Sequence, residues 1–486
     1  MRERTSADRS RDGGGVVIWL VVAVMLVGLA LAMTLASPQF AYVRNLEDMP
    51  ILPMVAGLVV AGLVYQCVPW LVRATLGAPL RRKRLALIVM VFAGLAMRLV
   101  LVTSEPVLED DYHRYLWDGA VTASGMNPYA VPPLAARQAA AATKLGQLAK
   151  EAGPVLERVN HPTLRTVYPP VAQAFFAVAY WMAPFRLEAW RAICLAGDVA
   201  TLALILALLR EARRSALWAT LYWWNPVVVK EVVNSAHMEA IVVPLVLAAL
   251  LLAARRRPLA ATGLLGLAMG AKLWPIMLAP LVLRPLLAQP ARLVAALTLT
   301  AVLTAVWAAP VLLAGIDTSS GFVAYAQKWQ TASALFPILQ RLLDGLLGLL
   351  GVTSLPSGLI ARGLLAAVVA SVAAALARRP VEDAGDLMRR AGLVVATLLL
   401  LSPAQFPWYT LWLAPFLAFL PLSGFVLLTM TIQLYYLAFH FLAIDAYEHF
   451  RTWVVWGIWG PVWLLLAIEA RRVWRAPLAP AGGGAG

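Results

Sequence analysis

Apolar runs close to the length needed to cross a bilayer recur from end to end of this 486-residue chain. They fall at 16–36, 51–72, 85–103, 190–209, 216–233, 238–253, 258–271, 275–287, 293–313, 359–376, 391–403, 409–420, 422–441 and 453–468. Hydrocarbon leaves every backbone polar group to be satisfied within the chain, so such runs read as helices. The pattern predicts an all-α polytopic membrane protein, a helical bundle of about 12–14 transmembrane helices with long periplasmic loops.

Basic clusters punctuate the runs. Arg2, Arg4, Arg9 and Arg11 precede the first, and Arg81-Arg82-Lys83-Arg84 precedes the third. Arg210, Arg213 and Arg214 follow the fourth, and Arg255-Arg256-Arg257, Arg378-Arg379 and Arg471-Arg472 follow later ones. Cytoplasmic loops are the ones rich in Lys and Arg. One assignment puts all these clusters and both termini inside, provided that 168–184 lies in the interface or re-enters instead of crossing. Its double proline, Pro169-Pro170, and its Tyr and Trp residues suit that. Four polar segments then emerge together on the non-cytoplasmic side: Glu109 to Arg114, Asn234 to Glu239, Lys272 to Pro275, and Gln405 to Tyr409. Polar helix ends that converge from distant parts of a chain are how a site between helices is built.

The expected organisation is an N-terminal tail with two spans at 1–84, a catalytic core at 85–443, and a last span with a disordered Gly/Pro-rich tail at 444–486. The core carries two long outer loops, 104–167 and 316–357. Within the first, 135–156 is helix-prone and amphipathic, and Asn127-Pro128 marks a turn.

Composition sharpens this. Charged residues make up 13% and mean hydropathy is +0.77, against about a quarter charged in soluble domains. The net charge of +15 reads as topogenic, so no nucleic-acid partner is expected. Cys67 and Cys194 fall inside apolar runs without metal spacing. The first run is longer than a signal-peptide core, which favours an anchor.

Glu109-Asp110-Asp111 carries the chemistry. Each charge costs roughly 2.5–3.5 kcal/mol or more in hydrocarbon, so three in series after a span belong at the water edge. There Asp110 or Asp111 can act as a base, and Glu109 with the partner Asp, or Asp110 with Asp111, can instead hold Mg²⁺ or Mn²⁺ through oxygen. A solvated helix cap is the plainer reading. Lys272, ending an apolar run beside Trp274, suits a phosphate or a snorkelling interface marker; His113, Arg114 and Arg165 are other candidate anion ligands. His237 and Glu239 open a helix, where an acid is also favoured by the dipole. Gln405, Trp408 and Tyr409 suit a sugar edge or an aromatic belt. Asp198 lies within a span and is the residue a lipid or solute transporter would exploit, whereas Arg98 reads as snorkelling.

These segments resemble the GT-C glycosyltransferases, in particular the first mannosyltransferase of GPI-anchor assembly and its bacterial relatives. The likeness runs through Asp111-Tyr112-His113, Asn127-Pro128-Tyr129, Val167-Tyr168-Pro169-Pro170, Gly197-Asp198-Val199 and Trp224-Asn225-Pro226. It continues through Asn234 with Glu239, Ala271-Lys272-Leu273-Trp274-Pro275, and Gln405-Phe406-Pro407-Trp408-Tyr409 with Pro415. The acidic run is continuous instead of Asp-x-Asp, and His237 and Glu239 stand where Gly-Asn and an Asp are usual. The resemblance implies an inner-membrane glycosyltransferase with its active site on the non-cytoplasmic side. It implies transfer of a hexose, mannose first, from a polyprenyl-phosphate donor to a lipid-linked or glycan acceptor, by inversion with an Asp base. It also carries substrate-binding roles to His113, Arg114, Tyr168, Asn234, His237, Glu239, Lys272, Gln405, Trp408 and Tyr409. Another sugar or a protein acceptor fits the same segments.

Overall fold

A computed structural model describes residues 6–352 and 354–475. Arg2, Arg4 and the expected disordered tail lie outside the described residues. Within them the chain is helical, with one isolated bridge between Thr331 and Ala404 and no strand. Eight helices are long and apolar enough to cross a membrane: Gly15–Phe40, Ile51–Leu76, Leu80–Leu101, Leu187–Glu211, Pro290–Leu313, Ser357–Ala377, Ser423–Ala443 and Tyr447–Arg471. Four apolar helices are shorter: Pro170–Met182, Glu239–Ala254, Pro258–Ala271 and Trp274–Leu286. The all-α polytopic class stands, while several expected full spans are broken or short.

The breaks have local causes. The run 216–233 splits at Pro226, where Asn225 Oδ1 accepts from Val227 N at 3.0 Å and caps a new turn. It then widens into a π-helical turn, Lys230–Asn234, of the kind often found at functional sites. The runs 275–287 and 409–420 become short 3₁₀ and α turns because Pro275, Pro280, Pro285, Pro407 and Pro415 recur every few residues. Pro170–Met182, at 13 residues, is about 20 Å long, short of the hydrocarbon thickness.

Close helix packing positions the site. A Cβ on Gly119 would stand 2.4 Å from the Phe176 carbonyl oxygen, so only glycine lets Asp111–Ala123 lie against Pro170–Met182. Gly197 does the same for Leu187–Glu211 against Glu239–Ala254, with the Ala240 oxygen 2.2 Å from such a Cβ. Arg98 does not snorkel. It is fully buried, ion-paired with Asp198, stacked over Trp223 at 3.4 Å, and donates to the Trp223 carbonyl at 2.8 Å. Asp198 Oδ1 accepts from the Tyr222 hydroxyl at 2.6 Å.

The loop 104–167 folds into several short helices. Its amphipathic stretch divides into Pro133–Arg137, Lys144–Ala152 and Pro154–Glu157, with Gly153 in the left-handed region at φ 47°. Leu148, Ala152 and Leu156 pack on Trp117 as a small second core. Buried Arg165 ties this loop to the next through the Ala314 and Gly315 carbonyls, at 2.7 and 2.9 Å, and Asp317.

Candidate active site

The acidic run hangs from the end of Leu80–Leu101. Asn234 fixes the approach: its amide donates to Ser104 Oγ at 2.8 Å and the Glu105 carbonyl at 2.7 Å, and its Oδ1 accepts from Val107 N at 3.0 Å. Leu108 then turns the chain at φ 56°, an unfavourable conformation for a side chain with a Cβ. That turn presents Glu109, Asp110 and Asp111 to a cavity of about 920 Å³.

Asp110 and Asp111 share one donor. Asn160 Nδ2 bonds Asp110 Oδ1 at 3.0 Å and Asp111 Oδ1 at 2.7 Å. Burial, then the neighbouring Asp111 charge, push the Asp110 carboxyl up to about 7, against the Asn160 bond. Burial also raises Asp111, opposed by His237. Glu109 goes the other way. Burial alone would raise it, but His237 and Lys230 outweigh that and hold it below the usual carboxylate range. Its Oε1 accepts from the Tyr436 hydroxyl at 2.9 Å.

The cavity has a cationic and aromatic wall. Lys272 follows the C-terminus of Pro258–Ala271, pairs with Glu239, and lies over the rings of Tyr409 at 4.5 Å and Trp412 at 5.2 Å. The Tyr409 hydroxyl is 2.7 Å from that of Tyr325. Lys272 remains 21% exposed, enough to meet a ligand in the cavity.

The structure brings Glu109, Asp110, Asp111, Arg114, Tyr168, Glu239, Lys272, Trp408 and Tyr409 to this one cavity. His237 stands behind the wall, stacked on Trp408 with ring centroids 4.0 Å apart. Three further candidates, like His237, stay away from the cavity surface. Asn234 is spent on Ser104 and on the backbone leading into the acidic run. Gln405 is buried and donates to the Leu399 and Leu400 carbonyls at 2.9 and 3.0 Å, closing the end of Ala384–Leu401. His113 is buried between Tyr42 and Tyr112, without hydrogen bonds, and burial pushes its imidazole down to about 4. Arg114 bonds the Leu164 carbonyl at 2.5 Å and Arg165 bonds the Tyr129, Ala314 and Gly315 carbonyls, whereas Lys272 faces the cavity paired with Glu239.

Sequence reasoning passed over Asn160, Lys230, Glu231, Tyr325 and Tyr436, as well as Tyr42 and Arg44, which line the cavity from the first helical connection. Lys230-Glu231, two charges interrupting an apolar run, was a visible signal; Tyr436 had none. For a metal, among the described residues the group of three acid or histidine side chains with donor atoms near enough to share an ion is Glu109, Glu231 and His237.

Comparison with curated proteins and with solved structures finds no match. Residues 14–288, more than half of the chain and including the first two spans, match the N-terminal domain of the alpha-(1->6)-mannopyranosyltransferases. The chain belongs to that family and is a membrane mannosyltransferase.

Proposed function

We propose that this mannosyltransferase takes mannose from a polyprenyl-phosphate donor, in a GT-C arrangement, and passes it to a lipid-linked or free mannan on the non-cytoplasmic face of the inner membrane. The observation that carries the reading is the pairing, in one cavity, of two amide-bridged carboxylates with a lysine set in aromatic rings. In the reaction the acceptor hydroxyl attacks the anomeric carbon as the bond to the phosphate oxygen breaks. The Asp110–Asp111 pair takes the hydroxyl proton. The phosphodiester departs as a phosphate monoester anion, which needs no acid, and Lys272 offsets its charge. One displacement inverts the anomeric centre, so an α-(1→6) product requires a β-linked donor.

Sidedness is supported by the helix ends. Leu80–Leu101 begins at Arg81–Arg84 and ends at the acidic loop, and Glu239–Ala254 begins at the cavity and ends at Arg255–Arg257. No observation favours a transporter, since Asp198 is committed to Arg98 and Tyr222. The test is incubation of purified protein with polyprenyl-phosphate-β-mannose and an α-(1→6)-mannan oligosaccharide. The expected product is one mannose heavier, with a new α linkage and free polyprenyl phosphate. Turnover only with a nucleotide-sugar donor refutes the donor assignment.

A further inference from the structure

The charges around His237 do not balance. Glu109 Oε2 and Glu231 Oε2 stand 3.3 and 3.5 Å from its Nε2, and Asp111 Oδ2 stands 3.9 Å from its Nδ1. Against these three carboxylates the cluster holds one ammonium, Lys230, 3.6 Å from Glu109 Oε1 and 3.4 Å from Glu231 Oε1. The two glutamates divide their oxygens. Both Oε1 atoms face the Tyr436 hydroxyl, at 2.9 and 2.7 Å, and Lys230. One hydroxyl proton serves one carboxylate and the ammonium serves the other. Both Oε2 atoms turn to the imidazole instead. Glu231 and His237 are fully buried, and Glu231 Oε2 and His237 Nε2 make no hydrogen bond.

We infer that Glu109 Oε2, Glu231 Oε2 and His237 Nε2 bind one divalent first-row cation, Mn²⁺ or Zn²⁺. Ligands on one ion with bonds near 2.1 Å stand roughly 3.0–3.5 Å apart, and the imidazole-to-carboxylate separations are 3.3 and 3.5 Å. An imidazole beside two carboxylates suits a first-row transition-series ion better than Mg²⁺ or Ca²⁺. The surroundings are those of a supported ligand set. Lys230 and Tyr436 hold the outer carboxylate oxygens. Nδ1 faces the Tyr115 hydroxyl at 3.4 Å and then Asp111, and Trp408 fixes the ring plane. With the imidazole neutral, as metal ligation requires, three ionised carboxylates and one ammonium leave two negative charges, which a dication cancels. Glu109 lines the cavity and gives the ion its way in.

This concerns binding alone and stands apart from the donor and base assignments. The test is Mn²⁺ binding to the full chain in detergent after chelator treatment, followed by electron paramagnetic resonance. The expected result is one tightly bound Mn²⁺ per chain, displaced by Zn²⁺, with nitrogen hyperfine coupling from an imidazole. The near-isosteric Glu231→Gln and His237→Gln each weaken binding by about tenfold or more, and Asp110→Asn leaves it unchanged. No stoichiometric Mn²⁺ or Zn²⁺, bound Mn²⁺ without nitrogen coupling, or wild-type affinity in folded Glu231→Gln overturns the inference in favour of a proton-linked ion network. Should both variants fail to fold, the nitrogen coupling in the wild-type protein decides.

Discussion

Two buried charge assemblies lie in this molecule, and they are finished to different degrees. Inside the bundle, Arg98 and Asp198 pair with each other, and Tyr222, the Gly94 and Trp223 carbonyls and the Trp223 ring take up their remaining valences. Neither residue touches the large cavity. At the cavity, Glu109 and Glu239 pair with Lys230 and Lys272, Asp110 and Asp111 share one amide with no lysine or arginine among the described residues paired to them, and buried atoms of Glu231, His237 and Glu239 lack hydrogen bonds. A saturated network holds helices together. An incomplete one beside a cavity is set up to be completed by a ligand.

The comparison can be broken by mutation. Asp110→Asn and Asp111→Asn each keep size and the Asn160 contact surface while removing a charge. Mannosyl transfer should fall about 10²–10⁴-fold in at least one of them, with thermal stability unchanged, as read by product mass and scanning fluorimetry. Lys272→Ala should reduce kcat/KM for the prenyl-phosphate donor by about 10²-fold, and it leaves Glu239 without its partner. Restoring activity with Arg at this position would locate the effect in the charge.

The structural network should answer in the opposite currency. Arg98→Met strands Asp198 in the bundle and should cost about 3–5 kcal/mol of stability, while activity per folded molecule stays within a few-fold. The Arg98→Met/Asp198→Leu pair should recover most of that loss in a thermal unfolding measurement. If the double variant is stable but inactive, the bundle pair has a role in the reaction and the comparison fails. The smallest effect is expected from Tyr409→Phe, which removes the bond to Tyr325 and keeps the ring under Lys272. About 1 kcal/mol or less should be lost, seen as a small rise in donor KM.

The fold class was legible because hydropathy alone marks helices in lipid. The helix count was less so. Prolines such as Pro226, Pro275 and Pro415 break runs that stay apolar overall, so 216–233 and 409–420 read as spans when they are chains of short turns. The acidic run and Lys272 were legible because charge next to a span has few structural excuses. Asn234, Gln405 and His113 were legible as polar residues in the right places, yet their atoms are used by backbone or buried among rings. Sequence position does not tell which way an amide points. Tyr436 reaches Glu109 from 327 residues away in the chain, and nothing local in the sequence announces such a pairing.

The central claim is that the Asp110–Asp111 pair takes the acceptor's proton while mannose leaves a prenyl phosphate. The most direct measurement is a single-turnover experiment with the Asp110→Asn/Asp111→Asn protein, loaded with radiolabelled polyprenyl-phosphate-β-mannose and then given mannan acceptor. Retained donor binding with no labelled mannan is the predicted result. Labelled mannan formed at the wild-type rate by the folded double variant would contradict the account.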